Sequence, residues 1–384
     1  MLTRAPIRRT IPALFLAETP MRWFLLALAL AFTALPGAAE PTPTLPPQPE
    51  VHEVLLPNGM RFLLVRRPEA PIFFGVITFK VGAVDDPKNV SGLAHLFEHM
   101  AFKGTRAIGT LDWNREKPLL ERIEQVGEDA TALETSGRDP ERLKTLRAEL
   151  ESLQRQQKPL LAESEFSQTY VEAGGTGLNA STSHDWTNYY VSLPSNRLEL
   201  WMLMESERFR DPVLRGFYSE RNVVPEERRM RTDTNPGGLL YEQFLASAFL
   251  AHPYHVPVIG WMPDIQRLTM ADARDFYQRY YSPHNACGIL VGDIDVATTR
   301  DLLKRYFGRI PRRGNPPPVR TTEPPQRGER RVEVCFEAAP QLLMGYHKPA
   351  TPDPDDTAAD LLAGVLGDGR TSRLFRRLVL KDGI

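Results

Sequence analysis

Two histidines four positions apart, with a glutamate beside the second, constrain this chain more than any other feature. They lie in the run Gly92-Leu93-Ala94-His95-Leu96-Phe97-Glu98-His99-Met100. On a helix, positions i and i+4 sit one above the other, so both imidazoles can reach a single metal ion. Glu98, at i+3 from His95, stays next to them. The order H-x-x-E-H inverts the commoner H-E-x-x-H and is a zinc hydrolase signature. The motif requires a short helix held rigidly behind or beside a sheet. It also requires a ligand from elsewhere, because a catalytic zinc takes three protein ligands and keeps an open position.

Cysteine does not supply that ligand. Cys287 and Cys335 are the only two in the chain, both in apolar runs that read as buried strands, which excludes a disulfide framework and a cysteine-based zinc site. Basic and acidic residues balance, 47 against 48, so no charge excess draws nucleic acid. A length of 384 residues exceeds one typical domain, and two are expected. Met21-Arg22, the apolar residues 23–35 and Pro36-Gly37-Ala38-Ala39 follow the layout of a secretory signal, so residues 1–39 are expected to be a leader. The workplace is then periplasmic or secreted, with membrane contact only through the leader. Residues 40–50 form a proline-rich spacer.

From residue 51 the pattern alternates as in strands, with a hairpin signal at Pro57-Asn58-Gly59 and a further strand over 72–81. The motif helix follows, and Ser91 is positioned to cap it. Residues 114–167 change character: Leu143, Leu146, Leu150 and Leu153 are spaced 3-4-3, which predicts a helical hairpin inserted into the domain. Strands return over 174–193, joined at His184-Asp185-Trp186, and helices are predicted over 197–210 and 217–231. The fold class expected is α+β, a mostly antiparallel sheet flanked by helices. A catalytic domain spans 51–311, a proline-rich linker 312–329, and the beginning of a second domain 330–384, too short to close by itself.

For the third ligand, the remaining histidines do not repeat a helical pairing. Glu220 and Glu227, two helical turns apart, share a face, whereas Glu226 points about 100° away from Glu227. In these residues the chain resembles the pitrilysin, or insulinase, family of inverse-motif zinc peptidases (M16), which includes the mitochondrial processing peptidase. Met100-Ala101-Phe102-Lys103-Gly104-Thr105 and Leu178-Asn179-Ala180 with Thr182-Ser183 are similar to family wording. The resemblance runs from about residue 51 to the end. It implies His95, His99 and Glu227 as the ligands of one zinc ion per chain, and Glu220 as a supporting carboxylate behind them. The gap from His99 to Glu227 is longer than is usual in the family, and the excess is close to the length of the 114–167 insertion.

The same resemblance implies a zinc endopeptidase of extended or unfolded peptides, in which zinc activates a water and Glu98 is the general base. It implies a peptide laid along the edge strand over 177–183, with Asn179 and Ala180 as contacts. Family members also need a second homologous half, so a homodimer or a homologous partner subunit is expected to complete the site, or else the chain is truncated. The alternative function is a catalytically silent or partner-dependent subunit that holds peptide. A zinc amidase is a third reading, one that needs no edge strand.

Overall fold

Period-two alternation of buried and exposed side chains builds the sheet at the centre of the computed structural model, which describes residues 48–383. The strands are β1 (His52–Leu55), β2 (Arg61–Arg66), β3 (Ile72–Phe79), β4 (Thr176–Thr182), β5 (Thr187–Pro194) and β6 (Ala286–Gly292). They lie in the order β1-β2-β6-β3-β5-β4. Every ladder is antiparallel except β2–β6. This is the mostly antiparallel sheet flanked by helices that the residue pattern predicts. Because β4 pairs only with β5, its other side is a sheet edge.

The helices are α1 (Leu93–Met100), α2 (Trp113–Ser136), α3 (Pro140–Gln157), α4 (Glu165–Glu172), α5 (Leu198–Arg210), α6 (Phe217–Arg228), α7 (Pro236–Ala248), α8 (Met262–Ile265), α9 (Met270–Tyr280), α10 (Val296–Tyr306) and α11 (Pro354–Gly367). Helix α5 packs onto β3 where Gly75 leaves room: a Cβ there would lie 2.7 Å from the Trp201 ring. Trp201, Phe73 and Phe307 bury their rings together in this layer. Helices α2 and α3 form a hairpin capped by Asp112 and Asp139 and closed through Gly137 in the left-handed conformation. Val126, Ala130 and Leu146 are its buried seam, with Leu143, Leu150 and Leu153 packed against it.

Helix α1 is only eight residues long, too short to persist in isolation, so its stability comes from packing. Leu93, Ala94, Leu96, Phe97 and Met100 are essentially inaccessible, and each large apolar side chain contributes about 2 kcal/mol of burial. Phe97 sits among Phe276, Tyr277 and Tyr281. The start of the helix differs from the expectation. Gly92 occupies the cap at φ 87°, and Asp86 accepts hydrogen bonds from the N–H groups of Gly92 (2.7 Å) and Ala94 (2.8 Å). Ser91 turns away instead and donates to Asp264, because it is buried under the loop before α8. A second correction concerns Cys335: it is exposed and lies in no strand, while Cys287 is half-buried in β6. Residues 332–336 are apolar enough for a strand but have no partner strand there.

Residues 311–353 carry no helix or strand. The leader expected over 1–39 lies outside the described residues. Among the described residues, no helix is long and apolar enough to cross a membrane.

Candidate metal centre

Helices α1 and α6 lie side by side in opposite directions, and two buried arginines fasten them at both ends. Arg215, just before α6, donates to the carbonyls of Lys103 (2.6 Å), Thr105 (3.0 Å) and Ile108 (3.2 Å) in the loop leaving α1. Its charge is met by Glu116 on α2, which is completely buried. Arg228, at the far end of α6, pairs with Glu242 and donates to the carbonyl of Gly260. That segment packs on Gly92, where a Cβ would come within 2.5 Å of the Ile259 carbonyl oxygen. The glycine is thus required both by its φ and by the close approach.

This framing brings His95, His99 and Glu227 together, with one candidate ligand atom from each lying within 4.8 Å of the others. His95 Nε2 is 3.7 Å from Glu227 Oε1, and His99 Nε2 is 3.5 Å from Glu227 Oε2. Tetrahedral ligands each about 2.1 Å from one ion stand about 3.4 Å apart. The two imidazole–carboxylate spacings, one to each Glu227 oxygen, are close to that, and two imidazoles with a carboxylate are a donor set that suits zinc. Glu220 lies behind His99, its Oε2 3.3 Å from Nδ1. A carboxylate there fixes the tautomer that leaves Nε2 free to ligate. Glu226, the rival carboxylate, is exposed and pairs with Arg229. His95 differs from His99: its buried Nδ1 has no hydrogen-bond partner among the described residues.

The electrostatics suit metal binding. Burial, reinforced by His99 and Arg231, pushes the His95 imidazole down to about 3, so it is neutral at pH 7, as a ligand must be. Burial also acts to lower His99, but the hydrogen bond to Glu220 and the charges of Glu227 and Glu98 outweigh it and raise the ring. The bond to His99, against burial and with help from Lys103, holds Glu220 down at about 2. Burial raises the Glu98 carboxyl above the ordinary range, and the Thr182 hydroxyl opposes the shift by donating to its Oε2 at 2.5 Å.

Asn179 and Ala180 fall on β4, the edge strand, which packs against α1 and ends at Thr182. Asn179 is exposed, and its Oδ1 accepts the N–H of Ala180 at 2.9 Å. Three contacts complete the cluster, and the first two, between residues far apart in the chain, were not legible in the residues alone. Thr182 holds Glu98, Lys103 reaches Glu220, and Arg231 reaches Glu227 Oε1 at 2.9 Å from the π-helical turn Arg229–Asp233. The one available signal is that Lys103 and Thr182 fall within the family-like wording. His184, His252 and Tyr254 are away from this cluster and secure the β4–β5 turn: His184 bonds the Val256 carbonyl and Tyr254 donates to Asp185.

A short helix bearing H-x-x-E-H, facing a second helix with glutamates seven apart beside an antiparallel sheet, is an inverse-motif metallopeptidase architecture. Residues 61–137 match the family model for Insulinase (Peptidase family M16), and residues 267–384 match that for the Peptidase M16 inactive domain, together about half of the chain. The chain belongs to the M16, or insulinase, family. It is 30% identical to the zinc protease PqqE of Helicobacter pylori over 87% of this chain and 64% of that protein. A crystal structure of a protease from Helicobacter pylori superposes with a TM-score of 0.68 at 28% identity, covering 88% of this chain and 70% of that one. The periplasmic protease PqqL from Escherichia coli has the same fold at 22% identity, with a TM-score of 0.53 over 73% of this chain and 26% of that one. The chain spans just under two thirds of the length of the first curated relatives it matches.

Proposed function

We propose that this chain carries the metal centre of a zinc endopeptidase acting on extended or unfolded peptides, with one zinc ion held by His95, His99 and Glu227. The observation that carries the reading is the convergence of those three side chains with Glu98 on the same helix between the histidines. Zinc in that position supplies Lewis acidity to the scissile carbonyl and to the attacking water. Glu98 accepts the water proton and returns it to the leaving amine. Its raised pKa brings it closer to the operating pH, where a general base that must also serve as an acid works best. Thr182 fixes one oxygen of Glu98 and leaves the other for the proton. The free side of β4 offers main-chain donors and acceptors to an extended peptide, which favours binding with little sequence preference.

A second reading is a partner-dependent subunit that holds peptide, with a second copy or a homologous subunit completing the site. It is favoured by the match of residues 267–384 to the family's inactive-domain description. A periplasmic location is proposed from the leader-like residues 23–39 and from the relative named as periplasmic. The test is cleavage of a quenched unstructured peptide by the purified chain with and without chelator, next to Glu98→Gln. The expected result is chelator-sensitive cleavage that falls about 100-fold or more in Glu98→Gln while zinc stays stoichiometric. Stoichiometric zinc without cleavage in the unaltered chain would favour the second reading.

A further inference from the structure

The loop that leaves α1 turns a lysine back toward the metal centre. Lys103 Nζ bonds Glu220 Oε1, while the other oxygen of the same carboxylate, Oε2, meets His99 Nδ1. Glu220 therefore bridges an ammonium and an imidazole, one on each oxygen, and its side chain cannot rotate without losing both. The three side chains are only partly exposed, 34% for Lys103, 17% for Glu220 and 23% for His99. Screening by solvent is correspondingly reduced.

The backbone of Lys103 is itself immobilised. Its N–H donates to the Met100 carbonyl at 3.0 Å, continuing the turn of α1, and its carbonyl accepts from Arg215 at 2.6 Å. Arg215 is only 4% exposed and is held by the buried Glu116, which also accepts from Gln157. The base of the α2–α3 hairpin, the loop after α1 and the start of α6 are thus one hydrogen-bonded unit, and Lys103 is its only side chain that reaches the carboxylate behind His99.

We propose that Lys103 is a positioning residue for the metal centre: its ammonium holds Glu220 in the rotamer that orients His99 for ligation. It acts through Glu220 and does not itself touch metal or peptide. The inference rests on the metal-centre reading, and the experiment separates the two.

Zinc dissociation constants by competition with a chromophoric chelator are measured for the 384-residue chain, Lys103→Met, Lys103→Arg, Glu220→Gln and the double variant Lys103→Met/Glu220→Gln. The His99 ring ¹⁵N shifts are recorded in the metal-free proteins. Loss of an outer hydrogen-bond partner of this kind weakens metal binding about 10- to 100-fold. Lys103→Met is expected near the lower end, with His99 moving toward a mixture of tautomers, and Lys103→Arg is expected to restore most of both. The double variant should bind no more weakly than Glu220→Gln alone, because Lys103 works through that carboxylate. An unchanged dissociation constant and unchanged His99 shifts in Lys103→Met overturn the inference, as do losses that simply multiply in the double variant. If Lys103→Met does not fold, Lys103→Gln, which also removes the ammonium, takes its place, and an unchanged dissociation constant with unchanged His99 shifts in that variant overturns the inference. If the unaltered chain takes up no zinc, the metal-centre reading fails, and the metal-free shifts still decide the role of Lys103.

Discussion

His99 stands between two glutamates, its Nδ1 3.3 Å from Glu220 Oε2 and its Nε2 3.5 Å from Glu227 Oε2. The two carboxylates come from one helix, seven residues apart, yet they meet opposite edges of one ring. The seven-residue spacing places the first where it can orient the imidazole and the second where it can share a metal ion with it.

Glu227→Ala is expected to abolish zinc binding, whereas Glu226→Ala leaves it intact, because Glu226 is exposed and engaged with Arg229. His95→Ala and His99→Ala should behave as Glu227→Ala does. Elemental analysis of the purified variants checks this. Stoichiometric zinc in Glu227→Ala would remove that residue from the ligand set.

In the metal-free chain the His95 imidazole contributes a loss of stability as the pH falls from 7, while the raised His99 ring and Glu98 carboxyl contribute in the opposite direction. The His95 imidazole lies below its ordinary value of 6.5 when folded, so over that interval the unfolded chain binds the proton more readily. Its contribution is complete above about 6.5 and declines as the pH falls toward 3. The lowered Glu220 carboxyl adds a decline of the same sign below its ordinary value of 4.5. Going from pH 7 to pH 5 should shift the urea midpoint of the unaltered chain further toward lower urea than that of His95→Leu, whatever the other groups contribute to both. Equal differences in the two proteins would contradict the assignment.

Arg215→Met should destabilise the fold by about 3–5 kcal/mol, since it strands the charge of Glu116 in the interior. Replacing both residues, as Arg215→Met/Glu116→Leu, should recover part of the loss. Chemical denaturation measures both, and a loss under about 1 kcal/mol for the single variant would show that the pair does not fasten α1 to α6.

Ala180→Pro on β4, the strand bordering the sheet edge, removes a main-chain donor that Asn179 Oδ1 engages in the peptide-free chain and that a bound peptide would take over. If peptide is held there, KM should rise about tenfold, the equivalent of one hydrogen bond, with zinc content unchanged. An unaltered KM would move the peptide elsewhere.

Much of the site can be read along the chain because its periods are local. His95, Glu98 and His99 are bound to one face by helical geometry, and Glu220 and Glu227 by the same rule on another helix. The mostly antiparallel sheet follows from alternation in residues such as 187–194, where every second side chain is buried. Ser91 shows where local reading stops. It stands where a capping residue should, but burial under a loop 170 residues later gives it Asp264 as partner and leaves the cap to Asp86.

The linear order of residues therefore determined the two helical faces, the donor types offered to a metal and the strand pattern, since each depends on neighbours within a few positions. Tertiary structure alone decided that the two faces meet and that Arg215 and Arg228 fasten them. It also decided that Thr182 and Lys103 join them. The Thr182 and Lys103 contacts join positions 84 and 117 residues apart, and their formation depends on which surfaces the whole chain buries together.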